Sequence, residues 1–233
     1  MNKYLSVILS LLMTLSVSAQ DFRAILDNYI LTMGGEQKMQ SILSMEMDLV
    51  ITTPKGDVPA KIKLKNGMAY RFEIGDKTAK NIKIINQRGL FEINPSKNDK
   101  SVKGVETLEY EAQKGMTYLY ELLGYKMQGK EDKLEFMGSD KLDGLPVYVF
   151  KIRTENPELY TIYYLDEVKR SIIKKTIFYP TNEGAKEITT TYSKYLKSNY
   201  GVMYPSEFST EYGMAKVKSI KFNSEINDKE FEF

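Results

Sequence analysis

The sequence predicts a mainly β fold with α elements (α+β): a single large curved antiparallel sheet, an incomplete β-barrel, covered by helices. Three observations predict it. Apolar residues recur with period two over most of the chain. Only two substantial stretches carry the helical spacing of three and four. Turn residues, "PKGD", Asp143-Gly144, Asp166-Glu167 and Asn182-Glu183-Gly184, separate the alternating segments. A sheet of about eleven strands with so few helices curls around them, and its hollow is filled by side chains or left for an apolar ligand.

The first 19 residues read as a secretory signal: Lys3, an apolar run from Leu5 to Leu15, then Val17-Ser18-Ala19 as a small-residue cleavage site. A membrane-anchoring helix is the alternative, but the run falls short of the roughly 20 residues a span requires. Cleavage would start the mature chain at Gln20 and leave 214 of the 233 residues. With no repeat, low-complexity tract or linker in it, residues 20–233 read as one domain.

Residues 21–33 open it with Phe22, Ile25, Leu26, Tyr29, Ile30 and Met33 on one helical stripe, stopped by Gly34-Gly35. A short helical piece over 36–42 follows. From Met45 the period becomes two: Met45, Met47, Leu49 and Ile51 share a face, as do Ala60, Ile62 and Leu64, and then Met68, Tyr70, Phe72 and Ile74. Pairing Thr53 with Val58 around "PKGD" sets Leu49 against Ile62 and Met47 against Leu64, with Asp48 meeting Lys63 and Glu46 meeting Lys65 outside. Short strands over 82–85 and 90–93 end at Asn94-Pro95. A longer helix is expected from Val105 to Leu123, its stripe Val105, Leu108, Ala112, Met116, Leu119 and Leu123, its polar face Glu106, Glu109, Gln113 and Glu121. Strands then fill the rest: about 132–139, 146–153, 159–165, 171–179, 186–196, 206–212 and 215–222. Tyr160, Tyr163, Tyr164, Tyr192, Tyr195 and Tyr200 among them read as strand filling, since aromatic residues favour strands.

Composition narrows the function. Lys3 is the signal's one charge, so 32 basic residues face 31 acidic in the mature chain. That balance gives no reason to expect nucleic acid or an anionic membrane as partner. The chain has no Cys, His or Trp. There is therefore no disulfide, no thioether site for a lipid anchor, no thiol nucleophile and none of the usual zinc ligands. The exported product is expected to be soluble, with no metal and no cofactor. The carboxylates of Asp166-Glu167, Glu131-Asp132 and the 227–230 run "NDKE" fall at expected turns, where solvation is the default. No phosphate loop or nucleophile elbow is present, so no catalytic residues are assigned and no enzyme is expected.

Several stretches, in order, carry a resemblance: the helix ending in Gly34-Gly35, "RGLFEINP", "LLGYKMQGKEDK", "DGLPVYVFKI", "YTIYYLDEVKRSIIKK", Gly201 and Pro205 in "NYGVMYPSEF", and the closing "NSEINDKEFEF". With them the chain resembles the LolA-like carriers, periplasmic proteins of lipoprotein sorting to the outer membrane, in a divergent branch. The resemblance implies a half-barrel closed by helices, periplasmic and monomeric. Its apolar cavity would take lipoprotein acyl chains or other lipid from an inner-membrane donor to an outer-membrane acceptor. The sequence departs from the family where an Arg-Pro pair holds the lid: "LKNGMAYRFE" has none, and Arg71 points off the apolar face. Phe91 stands where the family often has Trp.

The candidate cavity residues are Met45, Met47, Leu49, Ile51, Ile62, Leu64, Met68, Tyr70 and Phe72, with Met116 and Leu119 on the lid. Methionine suits a cavity for floppy chains, although such residues also serve simply as core. The ending reads as the last strand running into a turn that Asn223, Asn227 and Asp228 stabilise, with Ile226 and Phe231 folding back on the barrel edge. An envelope-stress sensor or protein-interaction scaffold on the same fold is the non-enzymatic alternative to a carrier.

Overall fold

A computed structural model describes residues 22–76, 80–95 and 99–232; the expected signal, 1–19, lies outside them. Helix α1 covers 22–33 and α2 covers Glu36–Gln40, with Gly34 and Gly35 at φ 131° and 86° between them. The described strands are β1 (Ser44–Thr53), β2 (Gly56–Lys65), β3 (Ala69–Gly75), β4 (Lys80–Asn86), β5 (Gly89–Asn94) and β6 (Asp99–Lys103). Helices α3 (Leu108–Gln113) and α4 (Glu121–Met127) follow. Then come β7 (Leu134–Leu142), β8 (Leu145–Arg153), β9 (Tyr160–Asp166), β10 (Ile172–Thr181), β11 (Gly184–Lys197), β12 (Met203–Thr210) and β13 (Gly213–Phe222).

These strands form one 13-stranded antiparallel sheet, ordered β6-β5-β4-β3-β2-β1-β13-β12-β11-β10-β9-β8-β7. It is two meanders joined where β1 pairs with β13, so the first and last strands meet at its centre and β6 and β7 end as its unclosed edges. Gly213 lies at that seam: at φ 140°, a Cβ there would stand 2.2 Å from the Thr52 carbonyl oxygen. No other residue fits so close to the backbone in that conformation.

One face of the sheet is covered by the helices. On its C-terminal half, Ile25, Leu26, Tyr29, Ile30 and Met33 of α1 pack with Leu122 and Leu123 of α4 against Phe150, Ile152, Tyr163 and Leu165. On its N-terminal half, Met45, Met47, Leu49 and Ile51 pack with Ile62, Leu64, Tyr70 and Phe72. Leu119, between α3 and α4, packs against both clusters.

Several expectations are corrected. The β1–β2 hairpin turns on two residues, Pro54 and Lys55, so Thr53 pairs with Gly56, Met47 with Ile62, Leu49 with Ala60 and Asp48 with Lys61. The register differs from the expected one by two residues, and an even shift leaves every side chain on its own face. Met68 belongs to the turn before β3; it is 55% exposed, its N–H donating to the Lys65 carbonyl at 2.9 Å, because Gly67 turns the chain at φ 75°. Strand β6 has no apolar alternation to announce it, and it pairs with β5 all the same.

The single helix from Val105 to Leu123 is two. Thr107 caps α3, its Oγ1 accepting from the Tyr110 N–H. After a 3-10 turn over Lys114–Thr117 the backbone is extended at Tyr118 (φ −103°, ψ 129°), and α4 starts afresh at Glu121. The new start rotates the face that α4 presents. Glu121 and Gln113, expected to face solvent, are turned into the protein.

The chain's ending crosses the face opposite the helices. Asn223, at φ 56°, accepts from the Leu43 N–H at 2.7 Å and donates to the Ser41 carbonyl at 3.0 Å, a tertiary clamp in place of a local one. Asn227 caps a 3-10 turn at Asp228–Phe231. Ile226 and Phe231 are buried with Ala69, Ile84 and Phe91 on the outer face of β3–β5, inside the sheet's borders and not at its edge. Lys65 pairs with Asp228, Lys63 with Glu230 at 2.9 Å, and Arg71 donates to the Glu230 carbonyl at 2.8 Å.

Candidate functional site

The covered face of β1–β4 and the segment 108–127 lying on it form the candidate site. Eight of the expected cavity residues, Met45, Met47, Leu49, Ile51, Ile62, Leu64, Tyr70 and Phe72, are buried in one cluster, with Met116 and Leu119 packed on them. Met68 is not among them; it lines a shallow depression of about 200 Å³ on the other face, beside Phe231. The same cluster includes Ile74, Ile85, Leu90 and Ala215, and it abuts the α1 cluster on the other half-sheet. Alternation in β8 and β9, which sets Phe150 opposite Tyr163 with Ile152 and Leu165 on the same face, is the signal by which that second half could have been found.

Hydrogen bonds hold the middle of the covering segment, and ion pairs of Glu109, Glu121 and Lys126 hold its two ends. The Leu119 N–H donates to Asn66 Oδ1 at 3.1 Å, while Asn66 Nδ2 donates to the Ile42 carbonyl at 3.0 Å. The Gly67 N–H donates to the Thr117 carbonyl at 2.8 Å. The Tyr120 hydroxyl donates to the Met203 carbonyl at 2.8 Å. Asn66 and Gly67 lie within "LKNGMAYRFE", the stretch that lacks the Arg-Pro pair, so that turn holds the segment down through an amide.

Lys83 and Lys175 interrupt the apolar face. Lys83 of β4 reaches Glu211 at 3.1 Å, Glu92 at 3.2 Å and Gln113 of α3 at 3.3 Å. Lys175 of β10 is 8% exposed and donates to the Glu121 carboxylate, to which the Tyr163 hydroxyl also donates. Burial works against the Lys175 charge, and the adjacent Glu121 carboxylate overcomes it, so the ammonium's pKa is raised above the ordinary lysine value. Burial, with Glu121 adding to it, also raises the Tyr163 phenol well above its ordinary value. Gly115 makes room for this arrangement: a Cβ there would stand 1.9 Å from Glu121 Oε1. Neither Glu121 nor Lys175 stands out in the sequence, one falling on the expected polar helix face and the other within an ordinary strand.

Three of the carboxylates weighed for catalysis, Asp166, Asp228 and Glu230, are otherwise engaged. Asp166 is 1% exposed, not solvated, and accepts from the Val168 and Lys169 N–H groups at 2.8 Å to shape its turn. Asp228 and Glu230 pair with lysines of β2. Among the described residues no group of three or more Asp or Glu could hold a metal ion, and no helix is long and apolar enough to cross a membrane.

No protein-family model matches the chain, and no curated protein matches it. Among solved structures it is similar to a protein described as an outer membrane lipoprotein-sorting protein domain from Vibrio parahaemolyticus, at 10% identity and a TM-score of 0.52, over 90% of this chain and 95% of that one. It is also similar to a LolA superfamily protein from Nitrosomonas europaea, at 12% identity and a TM-score of 0.50, over 84% of this chain and 95% of that one. At such identities the likeness is one of fold. The chain has the LolA-like fold, an unclosed antiparallel sheet with a few covering helices.

Proposed function

We propose that this protein is a non-enzymatic lipid binder that takes acyl chains between its covered sheet face and the segment 108–127. One observation carries the reading: that segment lies on a large apolar face through Met116 and Leu119 and is broken at Tyr118, so its first part is held there by a few hydrogen bonds while Leu122, Leu123 and the Glu121–Lys175 pair hold its second. Lifting it would uncover the N-terminal cluster and the border that Leu119 and Phe222 share with the cluster under α1.

An acyl chain supplies much of what displacement costs. Moving a sixteen-carbon chain out of water is worth on the order of 10 kcal/mol, at about 0.8 kcal/mol per methylene. Each hydrogen bond of the lid contributes roughly 1 kcal/mol, and the apolar surface that the lid uncovers is covered again by the acyl chain. We read this activity as that of a protein exported to the periplasm and working as a monomer that carries lipoprotein acyl chains toward the outer membrane; the lipoprotein-sorting name of one similar structure supports the sorting part of that reading.

The test is native mass spectrometry of residues 20–233, purified from the periplasm of a Gram-negative host. Retained lipid or acylated peptide supports the reading. A ligand-free mass from a protein that also refuses added lipid sinks it and favours a protein-binding scaffold.

A further inference from the structure

We propose that Lys175 is the anchor for an anionic headgroup, so that the preferred ligand is an acidic amphiphile, a carboxylate or phosphate on an acyl chain. The proposal rests on the lipid-binding reading above and adds the polar end of the ligand to it.

Three observations lead there. Lys175 projects from β10 onto the covered face, between Tyr163 of β9 and Thr190 of β11, and is buried. An ion pair buried in such a place is a weak source of stability compared with well-packed apolar side chains, which leaves its presence on a lipid-binding surface in need of another account. Its anionic partner does not come from the sheet. Glu121 belongs to the first turn of α4, on the very segment that must move for an acyl chain to enter.

Moving that segment takes the carboxylate away and leaves a buried ammonium with no counterion. The Tyr163 hydroxyl, now donating to Glu121, loses its acceptor at the same time. A cation and a phenolic donor converging on one vacated oxygen position form a receptor for an oxyanion. In the closed molecule Glu121 occupies that position as the ligand's stand-in. Gly115, whose lack of a side chain lets Glu121 fold back to reach Lys175, belongs to the same device. A neutral amphiphile would leave Lys175 unpaired on entry, so the site discriminates against it even where the chains are identical.

The experiment measures displacement of a neutral fluorescent probe, N-phenyl-1-naphthylamine, by hexadecanoate, hexadecyl phosphate and hexadecanol below their critical micelle concentrations. The wild type is expected to bind one or both anions at least tenfold more tightly than the alcohol, and whichever anion leads identifies the headgroup. Glu121→Gln, which removes the competing charge, should strengthen anion binding about fivefold more than it strengthens binding of the alcohol, which gains only from the loosened segment. Lys175→Met alone leaves Glu121 buried without its partner and can fail to fold, so the decisive variant is Lys175→Met with Glu121→Leu. In it the anion preference should fall to within twofold. Equal binding of anion and alcohol by the wild type overturns the proposal while leaving the lipid-binding reading intact. A tenfold preference that survives in the double variant overturns it too, by moving the preference to surface lysines. Binding of none of the three compounds removes the lipid-binding reading, and the proposal with it.

Discussion

Asn66 and Leu119 are joined by the hydrogen bond that fixes the middle of the covering segment: the Leu119 N–H donates to Asn66 Oδ1 at 3.1 Å, and the other end of the same amide donates to Ile42 at 3.0 Å. One side chain in a β-turn thus ties the loop after α2 to the break between α3 and α4. Asn66→Ala leaves the Leu119 N–H and the Ile42 carbonyl without these partners, at a cost of roughly 1–2 kcal/mol. Lipid uptake, followed by the fluorescence of a probe in stopped flow, should become several-fold faster because the lid lifts more readily. An unchanged uptake rate in a folded variant would show that Asn66 does not hold the gate.

Gly213 tests the seam between β1 and β13. Its φ of 140° and the Thr52 carbonyl oxygen at 2.2 Å from a built Cβ act together. A methyl group can therefore be admitted only by moving backbone in the centre of the sheet. Gly213→Ala should lower stability by roughly 3 kcal/mol or more, read as a fall in the denaturant midpoint. Gly56→Ala, at a hairpin where a Cβ meets nothing within 4 Å, provides the comparison for left-handed strain without the clash.

What could be read from the sequence follows from what periodicity encodes. Alternation assigns faces, so Met45 to Ile51, Ile62, Leu64, Tyr70 and Phe72 group together from residue order alone, as they do in the structure. Alternation cannot distinguish registers two residues apart, which is why the β1–β2 pairing differs from the expected one with no side chain on the wrong side. The helical period fails at Gly115 to Tyr120: continued through that stretch it turns Glu121 outward, whereas a restart at residue 121 turns it toward Lys175. That ion pair joins residues 54 positions apart, a separation that no local pattern reports. The alternation of "MAYRFEI" puts Met68 on the apolar face, but Gly67 delays the strand by one residue.

The closing segment offers a variant that should separate stability from binding. Phe231 is buried with Ile226, Ala69, Ile84 and Phe91 on the outer face of β3–β5. Its carbonyl accepts from Asn86 Nδ2 at 2.7 Å. Phe231→Ala should cost about 3–5 kcal/mol of unfolding free energy. Because this cluster lies on the opposite side of the sheet from Met47 and Leu119, lipid affinity per folded molecule should stay within twofold of the wild type.

The pH dependence can be derived from the groups that are perturbed. The chain has no His or Cys, so no side chain has an ordinary pKa between about 5 and 8. The resolved shifts widen that gap. Asp48 is lowered, chiefly by the Ser219 hydroxyl at 2.8 Å and then by Lys61, although burial opposes the shift. Burial is the largest single influence on Glu73 and would raise it, but Lys80 and Arg71 together outweigh it and hold the carboxyl below its usual value. A carboxyl depressed in the folded state contributes stability above its unfolded pKa, about 3.9 for Asp and 4.3 for Glu. That contribution is lost as pH falls through the lower folded value. Lys175 and Lys83 are raised by Glu121 and by Glu211 with Glu92, against the effect of burial, and the Tyr29 and Tyr70 phenols are raised mainly by burial. A raised group contributes stability fully below its unfolded pKa, about 10 for both types, and loses it as pH rises through the folded value. Unfolding free energy measured by denaturant titration should therefore be flat from pH 6 to pH 9, falling only below pH 4 and above pH 10. Affinity for a neutral amphiphile such as hexadecanol should be equally flat, since the chain has no His or Cys and the resolved shifts lead away from that range. A midpoint between pH 6 and pH 8 in either curve would require a side chain shifted several pH units in the opposite direction from those found.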